Sequence, residues 1–250
     1  MGILKILAVC AAICAVTPAC GRKAEDPPAG TGSQASPAVG NEAYATFVSR
    51  FIEARMKRDP YFAVQAGRHE FDGLMPEWTR AAMDADIAEL RELKAELKEY
   101  DPATLSEAQQ FERDYLRWVI DRDLFWMATA EAPYRNPAWY LDRLDPSMYL
   151  TREYAPLEKR LQGFLGYARA IPALAGSIRA NLRTPLPVSF IERGASGFGG
   201  YATFFRNETP PVFAQLADAK LKQDLVDATL AAARAMDELE AWLQSQRATR

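Results

Sequence analysis

Histidine and cysteine are almost missing from this 250-residue chain: His69 stands alone, and Cys10, Cys14 and Cys20 all fall in the first twenty residues. A body without thiols has no cysteine nucleophile and no disulfide framework, so it must fold on its apolar core. One histidine allows no two-histidine metal site and no His-Glu-x-x-His helix, so no metal ligand set is expected in this chain. Alternating strand patterns are absent, as is any repeat of fixed period. An excess of one charge is lacking too. Thirty basic residues face 33 acidic ones, for a net charge of −3, which gives no reason to expect nucleic acid as a partner. What is present is 49% hydrophobic and 11% aromatic residues, enough to bury a core.

The N-terminus carries a strong local signal. Lys5, the apolar run Ile6 to Val16 and the small residues that follow have the layout of a secretory signal peptide over residues 1–20. The run is shorter than the ~20 apolar residues of a spanning helix. Thr17-Pro18-Ala19-Cys20 resembles a bacterial lipobox, with Ala19 and Cys20 matching and Thr17 and Pro18 departing from it. Lipid attachment at Cys20 is expected, the alternative being ordinary cleavage near Ala19. Residues 21–41, rich in Gly, Pro, Ser and Ala, read as a disordered tether. Together these imply an exported protein, lipid-anchored on the periplasmic face of the cell envelope.

From residue 42 onward the spacing is helical. Tyr44, Phe47, Val48, Phe51 and Ile52 form one stripe behind an Asn41 cap, and Met83, Ile87, Leu90, Leu93 and Leu97 form another behind Thr79. Ser106 and Gln109 open an aromatic helix with a capping box; its Phe111, Tyr115, Trp118, Phe125 and Trp126 are expected in the core. Prolines at 133, 137 and 146 leave residues 134–150 irregular, and Arg135, Asn136, Trp139 and Tyr140 there are the candidate pocket lining. Thr151 is expected to cap a helix from Tyr154 to Ala170, with Ile171-Pro172 kinking or restarting it toward Leu182. The glycines between Arg193 and Gly200 lack a phosphate-loop pattern and point to close helix packing or a hinge. Leu216 to Gln246 closes the pattern as a long helix, so the fold class is all-α, an array of long antiparallel helices.

Several landmarks in order resemble a known family. Arg58-Asp-Pro60, His69-Glu-Phe-Asp-Gly73, Asn136-Pro137 with Tyr140, the run Arg152 to Arg160, Ile171-Pro172, Asn181-Leu182 and Pro185-Leu-Pro187 are similar to the bacterial domain-of-unknown-function family 885. The resemblance implies the N-terminal half of a helical, zinc-peptidase-like envelope lipoprotein. On that reading residues 42–250 are an incomplete domain, and zinc belongs to a C-terminal half bearing the His-Glu-x-x-His motif. No catalytic residue carries over, because Gly73 stands where the nearest string would need its second histidine. This chain is then inactive alone, its partners being the membrane, through the lipid, and a peptide substrate. The alternative is a complete, non-catalytic helical lipoprotein that binds a peptide, lipid or protein through residues 134–149. A hydrolase working with carboxylates alone is a third possibility, with no pair singled out.

Overall fold

The computed structural model describes residues 41–247, all within one compact unit, Pro37–Arg250. The expected signal peptide, Cys20 and nearly all of the tether lie outside the described residues. Among the described residues every regular element is helical, as the sequence pattern requires.

Helix α1 (Glu42–Arg58) starts where the Asn41 side chain accepts from the Tyr44 amide at 3.0 Å. Asp59 then caps α2 (Pro60–Gln65), whose first residue is the proline. After a short 3₁₀ turn at His69–Phe71 comes α3 (Arg80–Glu99), capped by Thr79, with all five stripe residues buried. Helix α4 (Glu107–Leu124) opens with the Ser106/Gln109 capping box. Gln109 also binds the α1 start, accepting from the Asn41 amide at 3.0 Å and donating to its carbonyl at 3.2 Å.

The first hydrophobic cluster joins these helices. Tyr44, Phe47 and Phe51 of α1 meet Leu90, Leu93 and Leu97 of α3 and Leu116, Val119 and Ile120 of α4. The expectation that the α4 aromatics fill the core is overturned. Phe111, Tyr115, Trp118, Phe125 and Trp126 are all exposed, while the aliphatic residues of the opposite face are buried. Helix α4 has two apolar faces, and the compact branched side chains occupy the inner one.

The second cluster is larger and built on three long helices. Helix α5 (Ala132–Arg135), a 3₁₀ segment (Pro137–Leu144) and α6 (Ser147–Thr151) give short helical turns to the stretch expected to be irregular. Thr151 ends α6 rather than capping the next helix. Helix α7 (Leu157–Asn181) begins after Pro156, which supplies the break, and runs unbroken through Pro172. Helix α8 (Val188–Thr203) leads through a π turn at Phe204–Glu208 to α9 (Thr209–Val212), and α10 (Ala219–Ser245) begins at an Asp218 cap.

Three of the four α8 glycines are packing residues, Gly200 facing open space. A Cβ on Gly194 would lie 2.5 Å from Pro137 Cβ, one on Gly197 would run into the Leu141 methyls, and one on Gly199 into the Glu240 carboxylate of α10. Gly73 has φ +79°, and its backbone rests on Gly163 and Gly166 of α7, where any side chain would collide with main chain. These contacts bring the 3₁₀ segment and the His69–Gly73 turn against the long helices.

The two faces of α4 should respond differently to truncation. Leu116→Ala is expected to cost about 2–5 kcal/mol in denaturant unfolding, whereas Phe111→Ala should stay within about 0.5 kcal/mol. Equal losses would place Phe111 back in a packed environment.

Candidate functional site

Where the two clusters meet, Met127 packs against both. Beside it opens a cleft of about 460 Å³, walled by residues of α1, α2, α3, the 3₁₀ segment and the end of α4. A π turn at Phe125–Thr129 follows α4, with the Ala130 amide bonded to the Phe125 carbonyl at 2.7 Å. The widened turn puts both Trp126 and Met127 on the cleft wall.

Aromatic rings dominate that wall. Trp78 and Trp139 lie 6.2 Å apart and both pack edge-on to the buried Tyr140. Trp126, Tyr61 and Phe62 complete the apolar lining. Tyr61 donates to Asp145 at 2.7 Å, and burial together with that carboxylate pushes its phenol up to about 12.

The charged lining is balanced in sign and unevenly paired. Asp123 accepts from Arg55 at 3.3 Å and Arg122 at 2.6 Å, and Arg58 bonds Glu89 at 2.5 Å. Among the described residues, Asp86, Asp142 and Arg143 have no opposite charge within 4 Å. Arg143 lies over the Trp139 ring, 3.9 Å from its centre, and donates to the Trp139 carbonyl at 2.6 Å. Asp86 is half-buried, and loss of water pushes its carboxyl up to about 6 despite the nearby Arg58. Two buried donors of the wall residues, Arg58 Nη2 and Trp139 Nε1, have no hydrogen-bond partner among the described residues. A smaller, more open pocket of about 370 Å³ adjoins through Asp142 and reaches Arg193 and Tyr201 of α8.

The four residues singled out in the sequence divide. Trp139 forms cleft wall, and Tyr140 lies fully buried behind it, donating to the Pro133 carbonyl at 2.8 Å. Asn136 caps the 3₁₀ segment through the Ala138 amide at 3.0 Å. Arg135 is exposed and pairs with Glu131 at 2.8 Å, away from the cleft lining. Sequence reading missed Asp86, which sits among the charges of a solvated helix face, and Arg143, which nothing in the local pattern marks. Trp126 was legible as an aromatic but not as cleft wall, because a π turn leaves no sequence signature.

His69 stacks on Tyr154 at 3.9 Å and lies 3.2 Å from Asp72, which also accepts from Tyr154 at 3.0 Å. That is a histidine tied into a turn. No three His, Cys, Asp or Glu side chains come together as a metal-holding group among the described residues, so these residues do not fit a zinc site.

The fold and the cleft define an all-α helical-array protein with an aromatic, charge-balanced groove between two hydrophobic clusters. Residues 60–250 match the model of the family described as bacterial protein of unknown function (DUF885), and the chain belongs to that family. A solved structure from Shewanella oneidensis, described as a candidate lipoprotein of unknown function, shares the fold with a TM-score of 0.72 at 19% identity. The match covers 82% of this chain and only 38% of that one. No curated protein matches the chain.

The raised Asp86 has a signed consequence. An acid with a higher pKa when folded binds more protons in the native state, so stability falls as pH climbs from about 4 to about 6. Asp86→Asn is therefore expected to raise Tm at pH 7 and leave it nearly unchanged at pH 4 by calorimetry. Equal shifts at both pH values would contradict this.

Proposed function

We propose that these residues form the peptide-holding wall of a longer, zinc-peptidase-like protein of this family, lipid-anchored through Cys20 on the periplasmic face of the envelope. The observation that carries the reading is the cleft: three tryptophans beside two donors without a hydrogen-bond partner and charges without an opposite charge among the described residues. A peptide matches that combination, because its side chains pack on rings while its alternating N–H and C=O groups meet both acceptors and donors. Equal numbers of lining arginines and aspartates favour a neutral backbone over a strongly charged ligand.

In this reading residues 1–20 are the signal peptide, residues 21–41 the tether, and the helical body from residue 42 one part of a larger fold. The Shewanella neighbour supports it in two ways, through its description as a candidate lipoprotein and through its greater length. The described residues contribute positioning. Trp126 and Trp139 grip side chains, and Arg143 and Asp86 orient the main chain. The hydrolytic chemistry that the family resemblance implies, with its zinc, would belong to polypeptide outside the described residues.

Acetylated, amidated octapeptides of mixed sequence should change the tryptophan fluorescence of the 250-residue chain on titration. Trp126→Ala or Trp139→Ala should each weaken binding about tenfold, or ~1.4 kcal/mol. A flat titration would remove the peptide reading. Separately, Cys20→Ser should abolish radiolabelled palmitate incorporation and move the protein out of the membrane fraction. Label retained by the variant would show that Cys20 is not the acylated residue.

A further inference from the structure

The outer face of α4 is unlike the rest of the surface. Phe111 is 78% exposed, Tyr115 and Trp118 56%, and Phe125, just past the helix in the π turn, 50%; the neighbouring Trp126 belongs to the cleft wall. Of the other exposed large apolar residues, Ile52, Leu74 and Phe190 are spread singly and Val226 and Leu230 make one aliphatic pair on α10, which is ordinary for a folded surface. On α4 the rings are organised: Tyr115 stacks with Trp118 at 6.2 Å, and Arg122 lies 5.3 Å from the Trp118 centre. Aromatic side chains bury about 150–250 Å² each, so these four, each half exposed or more, present roughly 500 Å² of ring surface. That is near the upper end for the largest apolar patch of a typical monomer.

We propose that this face is the seat of a further helical body of the same protein, supplied by polypeptide of the longer family fold outside residues 41–247. The inference rests on the reading that these residues are part of a larger fold. The Shewanella structure shares this fold and continues for more than half its length beyond the matched part. That remaining length needs a surface to rest on. Roughly 500 Å² of ring area plus its polar rim reaches the 600–1,500 Å² of inter-domain interfaces within one chain.

The shape and charge of the face exclude other occupants. A row of rings along one helix is a convex ridge, which fits the groove of another helix rather than an extended strand of peptide. Helix α4 carries five acidic and three basic side chains, two of the acids being paired with Lys94 and Arg55, so the face has no basic excess to draw it to an anionic bilayer surface. Aromatic rings with an arginine among them and acids at the rim match the composition of protein interfaces.

The test is hydroxyl-radical footprinting with mass spectrometry on native protein extracted from its source membranes, beside the 250-residue chain produced alone. The native polypeptide is expected to exceed the 27.9 kDa of this chain, with Tyr115 and Trp118 labelled at least about fivefold less than in the chain alone. Phe190 should label equally in both. A heavier native polypeptide with Tyr115 and Trp118 labelled as in the chain alone would overturn this inference and leave the larger-fold reading standing. A native polypeptide no heavier than this chain would overturn both. Protection that disappears on dilution, with a dimer's mass, would assign the face to a second copy and overturn the proposal. Trp118→Ser supplies an independent readout: it should lower Tm in the longer native protein and leave the Tm of the 250-residue chain unchanged.

Discussion

The cleft depends on one buried amide. Asn181, the last residue of α7 and 3% exposed, donates from Nδ2 to the Trp78 carbonyl at 2.7 Å and to the Tyr140 hydroxyl at 3.3 Å. The Tyr140 hydroxyl in turn donates a hydrogen bond to the Pro133 carbonyl, so a single side chain reaches the approach to α3, the 3₁₀ segment and α5. Each of those backbone groups would otherwise be buried unpaired, at a cost of ~1–3 kcal/mol apiece. Trp78 and Trp139 stand face to edge across the wall because both are held to the same helix end. The landmark Asn181-Leu182, met first as part of a family pattern, thus has a physical reason to be asparagine. Only an amide at that point can donate twice while its stem stays in the apolar core.

The remainder of the fold grows outward from that anchor. Glycines on α8 let Pro137 and Leu141 sit directly on its backbone, and Tyr201 fixes the same segment by donating to the Leu141 carbonyl at 2.9 Å. The 3₁₀ segment is therefore clamped from α7 on one flank and α8 on the other. A rigid wall of this kind suits recognition, since side chains that already sit in place lose little freedom when a ligand arrives.

Most of the fold was legible in the sequence, for reasons that are local. The Asn41 and Thr79 caps, the α3 stripe and the Ser106/Gln109 box are short-range features, and each opened or faced its helix as the spacing implied; of the α1 stripe only Ile52 turns outward. The misreadings came where local pattern could not choose between two outcomes. In α4 the aromatic stripe and the Leu116-Val119-Ile120 stripe are both good helical faces, and which one turns inward is decided by the neighbouring helices. Pro156 rather than Thr151 sets the start of α7, because a proline at that point restricts the residue before it and frees no amide inside the helix. Within the cleft only Trp139 was visible in advance; Asp86 and Arg143 acquire their character from groups far along the chain.

The pair of hydrogen bonds between Gln109 and the backbone of Asn41 has a mechanical side. A pull applied at Asn41 does not simply unroll α1 from its first turn, because the amide and carbonyl of that residue are both tied to the head of α4. Load would pass into the three-helix cluster through two hydrogen bonds acting in parallel, and peeling would give way to shear. A body hung from its leading end by such a fastening would swing as a unit, keeping the groove's shape while its bearing changes.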